Sequence, residues 1–171
     1  ANYHLSYSLS EDQKRLSDTL VSNYKKGINT LVHAVCGSGK TEIVLELIRY
    51  AIECGDKVGF AVPRRDVVKE LYERFSIIFK HNKIALVYGG HTENLYGDFI
   101  CLTTHQLFRY RNYFDLLIVD EVDAFPFKDN DLLESFFYSS IKGRYVMMSA
   151  TPDDKIISKF KKILKSHPVK R

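Results

Sequence analysis

Residues Ala34 to Glu42 read AVCGSGKTE, and the reading of this stretch decides the fold. It sits between TLVHAV, an apolar run of strand length starting at Thr30, and KTEIVLELIRYAIEC, whose apolar residues recur at helical spacing until Gly55 closes the run. A helix start exposes unpaired N–H groups and the positive end of its dipole. Gly37 and Gly39 let the backbone before that start curl until its N–H groups converge, which makes a seat for an anion such as phosphate.

The residues that follow sharpen the reading. Lys40 can reach the β and γ phosphates of a nucleotide, and the Thr41 hydroxyl can ligate Mg²⁺. The P-loop pattern asks for glycine at position 34, where this chain has alanine, but glycine, lysine and threonine stay in register after it. Cys36, Gly37, Ser38, Gly39, Lys40, Thr41 and Glu42 are therefore the expected ATP-binding residues. Cys36 reads first as small-residue packing; a positive surrounding would also lower its pKa and make it oxidisable.

An ATP site of this kind needs a second strand ending in an acid that holds the metal, followed by a group that orients the attacking water. FDLLIVDEVD, Phe114 to Asp123, supplies both. Asp120 is the expected metal-side carboxylate with Thr41, Glu121 the expected polariser of water, and Asp123 follows. A lone Asp after a strand is commonly just a helix cap, but DEVD paired with a phosphate loop is poorly explained that way.

Outward from these two stretches, KVGFAV, KIALVY, FICLTT, DLLIVD and YVMMSA are short apolar runs bounded by turn or polar residues. Helical patterns fall between several of them, including LSEDQKRLSDTLVSNYKKG, with Leu9, Leu16, Leu20 and Val21 on one face, and RRDVVKELYERFSIIF after Pro63. Apolar strands alternating with amphipathic helices predict an α/β fold with a mainly parallel sheet covered on both faces.

Composition bounds the rest. The chain has 171 residues, enough for one domain with its own core, and no apolar run approaches membrane-span length. ANYHLSYSLS lacks the pattern of a signal peptide. Cys36, Cys54 and Cys101 have neither disulfide-framework nor zinc spacing, which predicts a reducing, cytoplasmic setting and no structural metal. The net charge of +4 is carried by seven Lys and Arg from Lys155 onward, so it is weak support for nucleic-acid binding. That tail sets Ile156, Ile157, Phe160, Ile163 and Leu164 on one face and ends in a linker-like SHPVKR. The expected division is therefore 1–152 as the ATP-binding domain and 153–171 as a basic helix and linker.

Several smaller stretches gain meaning beside the phosphate loop. Ser149 and Thr151, in SATP, either sense the γ phosphate and couple it to movement or cap a helix ahead of Pro152. Gln13 either reads an adenine edge or partners Ser10 in a capping box. PRRD, YGG and TTHQ each follow a strand and so emerge on the loop's side of the sheet. Arg64, Arg65, the Gly89 and Gly90 amides, the Thr103 and Thr104 hydroxyls, His105 and Gln106 are donors a nucleic-acid backbone would use, although arginines early in a helix are usually just solvated and a Gly pair is usually a turn. His33 reads as a core histidine, and no His/Cys/carboxylate group has metal-ligand spacing.

Gln13, AVCGSGKTE, PRRD, YGG, TTHQL, DEVDAFP and SATP stand in the order seen in the first RecA-like domain of superfamily 2 helicases, which the chain resembles over roughly residues 9 to 152. More narrowly, AVCGSGKTE with VPRRDVVKEL, TTHQLFRY and DEVDAFPF resembles the ComFA family of competence ATPases, with the PriA replication-restart helicases as the nearest alternative.

The resemblance implies a three-layer RecA-like P-loop NTPase fold and an ATP-driven motor that moves single-stranded DNA during uptake. It also implies a cytoplasmic position at the inner face of the membrane, beside the uptake machinery. It assigns Gly37 to Thr41 to motif I, Arg64 and Arg65 to motif Ia, Thr103 to Gln106 to motif Ib, Asp120 to Asp123 to motif II and Ser149 to Thr151 to motif III. A second RecA-like domain would supply an arginine finger, worth roughly 10³ to 10⁵ in rate, so the 171 residues alone are expected to hydrolyse ATP poorly. Two other classes compete. A GTPase-like switch would want NKxD, but Asn82-Lys83 is followed by Ile84 and Ala85. A small-molecule kinase would want a lid with phosphate-clamping arginines, and DEVD favours attack by water.

Overall fold

The computed structural model describes residues 11–33, 40–122 and 131–149. The expectations placed on Ser10, on Cys36, Gly37, Ser38 and Gly39, on Asp123, on Thr151 and on the 153–171 tail lie outside those residues.

In chain order the elements are α1 (Glu11–Lys25), β1 (Thr30–His33), α2 (Lys40–Glu53), β2 (Val58–Val62), α3 (Arg65–Ile78), β3 (Ile84–Val87) and β4 (Phe99–Thr103). A 3-10 helix (Thr104–Arg109), β5 (Phe114–Val119), α4 (Asp131–Ser140) and β6 (Ile141–Ser149) follow. The six strands form one sheet in the order β1-β6-β5-β2-β4-β3, and every ladder is parallel. All strands therefore end on one edge. His33 lies beside Ser149, Val119 beside both Met147 and Ala61, and Val62 beside Thr103.

Burial explains why the strands read as continuous apolar runs. Successive side chains alternate between faces, and both faces are covered. Leu116 and Ile118 of β5 pack with α1, α2 and α3 in a core that includes Leu20, Val44, Leu47 and Val68. Leu117 and Val119 face the other way, toward Leu133 and Phe137 of α4 and Leu107 of the 3-10 helix. The result is the expected three-layer α/β arrangement. Phe60, Phe75 and Phe99 anchor the first core, with ring centroids 5.7 and 5.1 Å from that of Phe75. Full burial of such a ring stabilises by about 1.5–3 kcal/mol, so the strand ends that carry the site rest on a well-fixed platform.

Gly27 and Gly55 end α1 and α2 with φ of 72° and 80°, left-handed positions that glycine occupies without penalty. Two features depart from the sequence reading. The helix α4 had no counterpart in it, and β6 begins at Ile141, four residues before the apolar run that marked it. Lys142, Gly143 and Arg144 precede that run, yet they belong to the strand. A Cβ on Gly143 would collide with the Asp115 backbone, so the glycine permits close strand approach where β5 shifts register.

A cleft of about 540 Å³ opens at the opposite edge, lined by Tyr24, Tyr50, Asp56, Asp115, Lys142 and Arg144 among others. It lies beside the strand starts and takes no part in the site described next.

Candidate functional site

The site forms where β1, β6, β5 and β2 end. Lys40 opens the described part of α2, and its ammonium donates to Asp120 Oδ1 at 3.2 Å, joining residues 80 apart in sequence. Thr41 follows in the same first turn and is half-buried. Asp120 closes β5 with its own N–H on the Ala61 carbonyl, 3.0 Å away, which seats it over β2. Burial pushes its carboxyl above the usual carboxylate range; the Lys40 ammonium and the Glu121 N–H, 2.7 Å from Oδ1, pull the other way.

Glu121 adopts φ of 57°, a left-handed conformation uncommon for a residue with a Cβ. Such positions cost free energy and persist where neighbours over-determine them. Here the Val122 N–H reaches the Met148 carbonyl at 3.3 Å and the Val122 side chain is buried, so the turn is tied to both β2 and β6. One Glu121 oxygen, Oε1, accepts from the Arg64 guanidinium at 2.6 Å; the other, Oε2, is buried with no hydrogen-bond partner among the described residues. Lys40, Asp120, Glu121 and Arg64 thus form a row across the sheet edge in which two adjacent carboxylates are flanked by a cation at each end.

Three of the four residues on which the nucleotide reading rests, Lys40, Asp120 and Glu121, are brought together, and Thr41 adjoins Lys40 in sequence. Ser149, at the end of β6 between β1 and β5, is fully buried and its hydroxyl has no partner among the described residues. Gln13 lies in the first turn of α1, half-buried.

Glu42 departs from expectation. Two residues beyond Lys40 on a helix is a rotation of about 200°, and the Glu42 carboxylate is buried in an ion pair with Arg74 of α3. It ties α2 to α3 and does not join the Lys40 and Asp120 cluster.

The proposed nucleic-acid track is also revised. Arg64 caps α3 and is well exposed; Arg65 donates to the Gly89 carbonyl at 3.2 Å. Gly89, Gly90 and His105 are exposed. Thr103 and Thr104 are not available: both are buried, Thr104 completely, because β4 carries its core-facing register into the 3-10 helix. Gln106 accepts from Arg109 at 2.6 Å. The structure adds residues that the sequence reading passed over. Tyr88 stacks on His91 at 5.0 Å, with Arg65 and Lys69 each 5.0 Å from the Tyr88 ring, and Phe108 is half exposed beneath Arg109. The signal for them was present in the sequence as aromatics next to the Gly pair and the TTHQ stretch.

A parallel sheet whose strand ends gather a helix-start lysine and a strand-end Asp-Glu pair is the arrangement of a P-loop motor core. Residues 6–154 match the family described as type III restriction enzyme, res subunit, and the chain belongs to that family. Within it the chain is a ComFA-like superfamily 2 helicase domain. It is similar to the competence protein ComFA of Streptococcus pneumoniae (strain ATCC BAA-255 / R6), with 40% identity over 149 residues, covering 86% of this chain and 34% of that protein. The ComFA of Bacillus subtilis (strain 168) is 37% identical over 147 residues, 84% of this chain and 32% of that protein. The chain thus spans about a third of the length of these relatives.

Two solved structures share the fold. The Sulfolobus solfataricus SWI2/SNF2 ATPase core in complex with dsDNA has a TM-score of 0.70 at 18% identity, covering 89% of this chain and 34% of that one. A hypothetical ATP-dependent RNA helicase from Sulfolobus tokodaii has a TM-score of 0.70 at 23% identity, covering 94% and 50%. Among the described residues no helix is long and apolar enough to cross a membrane, and no group of three or more His, Cys, Asp or Glu is placed to hold a metal by itself.

Proposed function

We propose that this chain is the ATP-binding half of a DNA-dependent motor that draws single-stranded DNA into competent cells. The observation that carries the reading is the ion pair of Lys40 with Asp120, with Glu121 held beside it by its own N–H on the same carboxylate. In this reading Lys40 exchanges Asp120 for the β and γ phosphates of ATP.

The residues present fit a magnesium ion. Thr41 offers a hydroxyl beside the phosphate-binding lysine, and Asp120 a carboxylate within reach of that same lysine. When bound, the ion would neutralise charge developing on the phosphates. Glu121 accepts a proton from water as the water oxygen bonds to the γ-phosphorus and the bond to the leaving ADP oxygen breaks. Its buried, unpartnered Oε2 suits such an acceptor. Ser149, buried at the end of β6 between β1 and β5, relays the state of the phosphates to the rest of the sheet edge.

The name competence protein, borne by both ComFA relatives, supports DNA uptake over replication restart. The reading places the motor in the cytoplasm against the membrane uptake machinery. It assigns to the remaining two thirds of a full-length protein the second RecA-like domain that completes catalysis. The test is ATP turnover by the full-length protein with and without single-stranded DNA. We expect DNA to raise turnover several-fold, and Lys40→Ala and Glu121→Gln each to lower it at least about 100-fold. Turnover indifferent to DNA, or surviving both substitutions, would refute the motor.

A further inference from the structure

We propose that Arg64 restrains Glu121, and that a nucleic-acid phosphate, by taking over the Arg64 guanidinium, releases the carboxylate for catalysis. The inference rests on the role given to Glu121 above and adds how that role is switched. Arg64 is a positioning residue, acting through Glu121.

The geometry supplies each part. The guanidinium lies 2.6 Å from Glu121 Oε1, joining the end of β2 to the end of β5. The two partners are unequally exposed: the Arg64 side chain is 60% accessible and that of Glu121 22%. A strand passing over the sheet edge therefore meets the arginine first. The backbone around Glu121 is pinned by the Asp120 N–H on Ala61 and the Val122 N–H on Met148, so side-chain torsions are what remain to reorient the carboxylate. While Oε1 is paired with the guanidinium, the carboxylate is held toward the start of α3. Phosphate competes with carboxylate for this cation. It accepts bidentate, charge-assisted bonds from arginine, and a strand presents many phosphates at once. Arg65 and Lys69, over Tyr88 on the same edge, offer further positive charge to that strand. An ion pair with one partner this exposed is weak enough to be exchanged.

The exchange predicts a coupling that can be read without nucleotide. If Glu121 competes with DNA for Arg64, removing the Glu121 charge must make the guanidinium more available to DNA. The experiment measures anisotropy of fluorescein-labelled oligothymidylate with the full-length protein at fixed salt and no ATP, for the unmodified protein, Glu121→Gln, Arg64→Ala and the double variant. We expect Glu121→Gln to bind about two- to fivefold tighter, Arg64→Ala to bind more weakly, and Glu121→Gln to have no effect in the Arg64→Ala background. An equal effect in both backgrounds, or none in either, overturns the exchange while leaving the motor reading intact. Failure of all four proteins to bind oligothymidylate overturns both.

A second readout separates restraint from simple loss of DNA affinity. Arg64→Ala is expected to raise the DNA-free kcat with KM for ATP unchanged, and to shrink the ratio of DNA-stimulated to DNA-free turnover. Arg64→Lys, which keeps the charge but not the fork, is expected to restore part of that ratio. A DNA-free kcat that falls in Arg64→Ala overturns the restraint.

Discussion

Removing Arg74 tests whether Glu42 belongs to the scaffold or to the nucleotide. The Glu42 side chain is 4% exposed and that of Arg74 45%. Losing a partner of a fully buried pair costs roughly 3–5 kcal/mol. Arg74 is nearly half in solvent, where water screens the pair and can replace part of it, so about 1–2 kcal/mol is the appropriate scale for Arg74→Ala. For a domain of this size each kcal/mol lowers Tm by roughly 2–4 °C, which puts the expected drop at about 2–8 °C. Glu42→Gln should cost less, below about 1 kcal/mol, because the amide oxygen still accepts from Arg74 and a charge no longer needs burying. Thermal unfolding of the 171-residue chain by circular dichroism measures both. Binding of a fluorescent ATP analogue to the same variants should stay within about threefold of the unmodified protein, a change of less than about 0.7 kcal/mol. A Glu42→Gln variant less stable than Arg74→Ala, or a tenfold loss of nucleotide affinity in either, would refute the scaffold assignment.

Tyr24 donates to Asp56 at 2.5 Å, and Tyr24→Phe should cost about 1–2 kcal/mol at pH 8 by urea denaturation. Burial first, and then the Asp56 hydrogen bond, raise the Tyr24 phenol above the usual tyrosine value. Its stabilisation is therefore complete below about pH 10 and is lost as pH rises further, because the unfolded chain ionises first. Near pH 11 the gap to Tyr24→Phe should have narrowed by about 1.4 kcal/mol, and a gap that widens would contradict the assignment. Gly143→Ala should cost about 1–3 kcal/mol by overpacking against Asp115, whereas Lys142→Ala, exposed on the same strand, should change stability by less than about 0.5 kcal/mol; equal urea midpoints would show that the close approach is not needed.

The fold was legible where residue type and periodicity agreed. DLLIVD and FICLTT are apolar on both faces because helices cover both, and that pattern identifies a parallel sheet without further information. Lys40, Asp120 and Glu121 could be grouped in advance because Asp120 and Glu121 directly follow β5 and Lys40 opens the helix that comes after β1, and parallel strands bring such ends to one edge. The misses have physical causes. DLLESFFYSS carries aromatics and serines of middling helix propensity, and it becomes α4 through the burial of Leu133 and Phe137. Gly143 reads as a turn signal, but here it answers a tertiary clash that only the neighbouring strand reveals. Thr104 and Glu42 were placed by adjacency to a motif. One step along a strand, or two along a helix, turns a side chain from the site into the core, and sequence proximity does not record that direction.

The strand order sets the gauge of the jaw. β1, which leads to Lys40, and β5, which leads into Asp120, are not neighbours, because β6 runs between them. Two strand spacings amount to about 10 Å, and Ser149, at the end of β6, lies in that gap. Because that width is set by the ladder, substitutions along the rim can alter its charge but not how wide it stands.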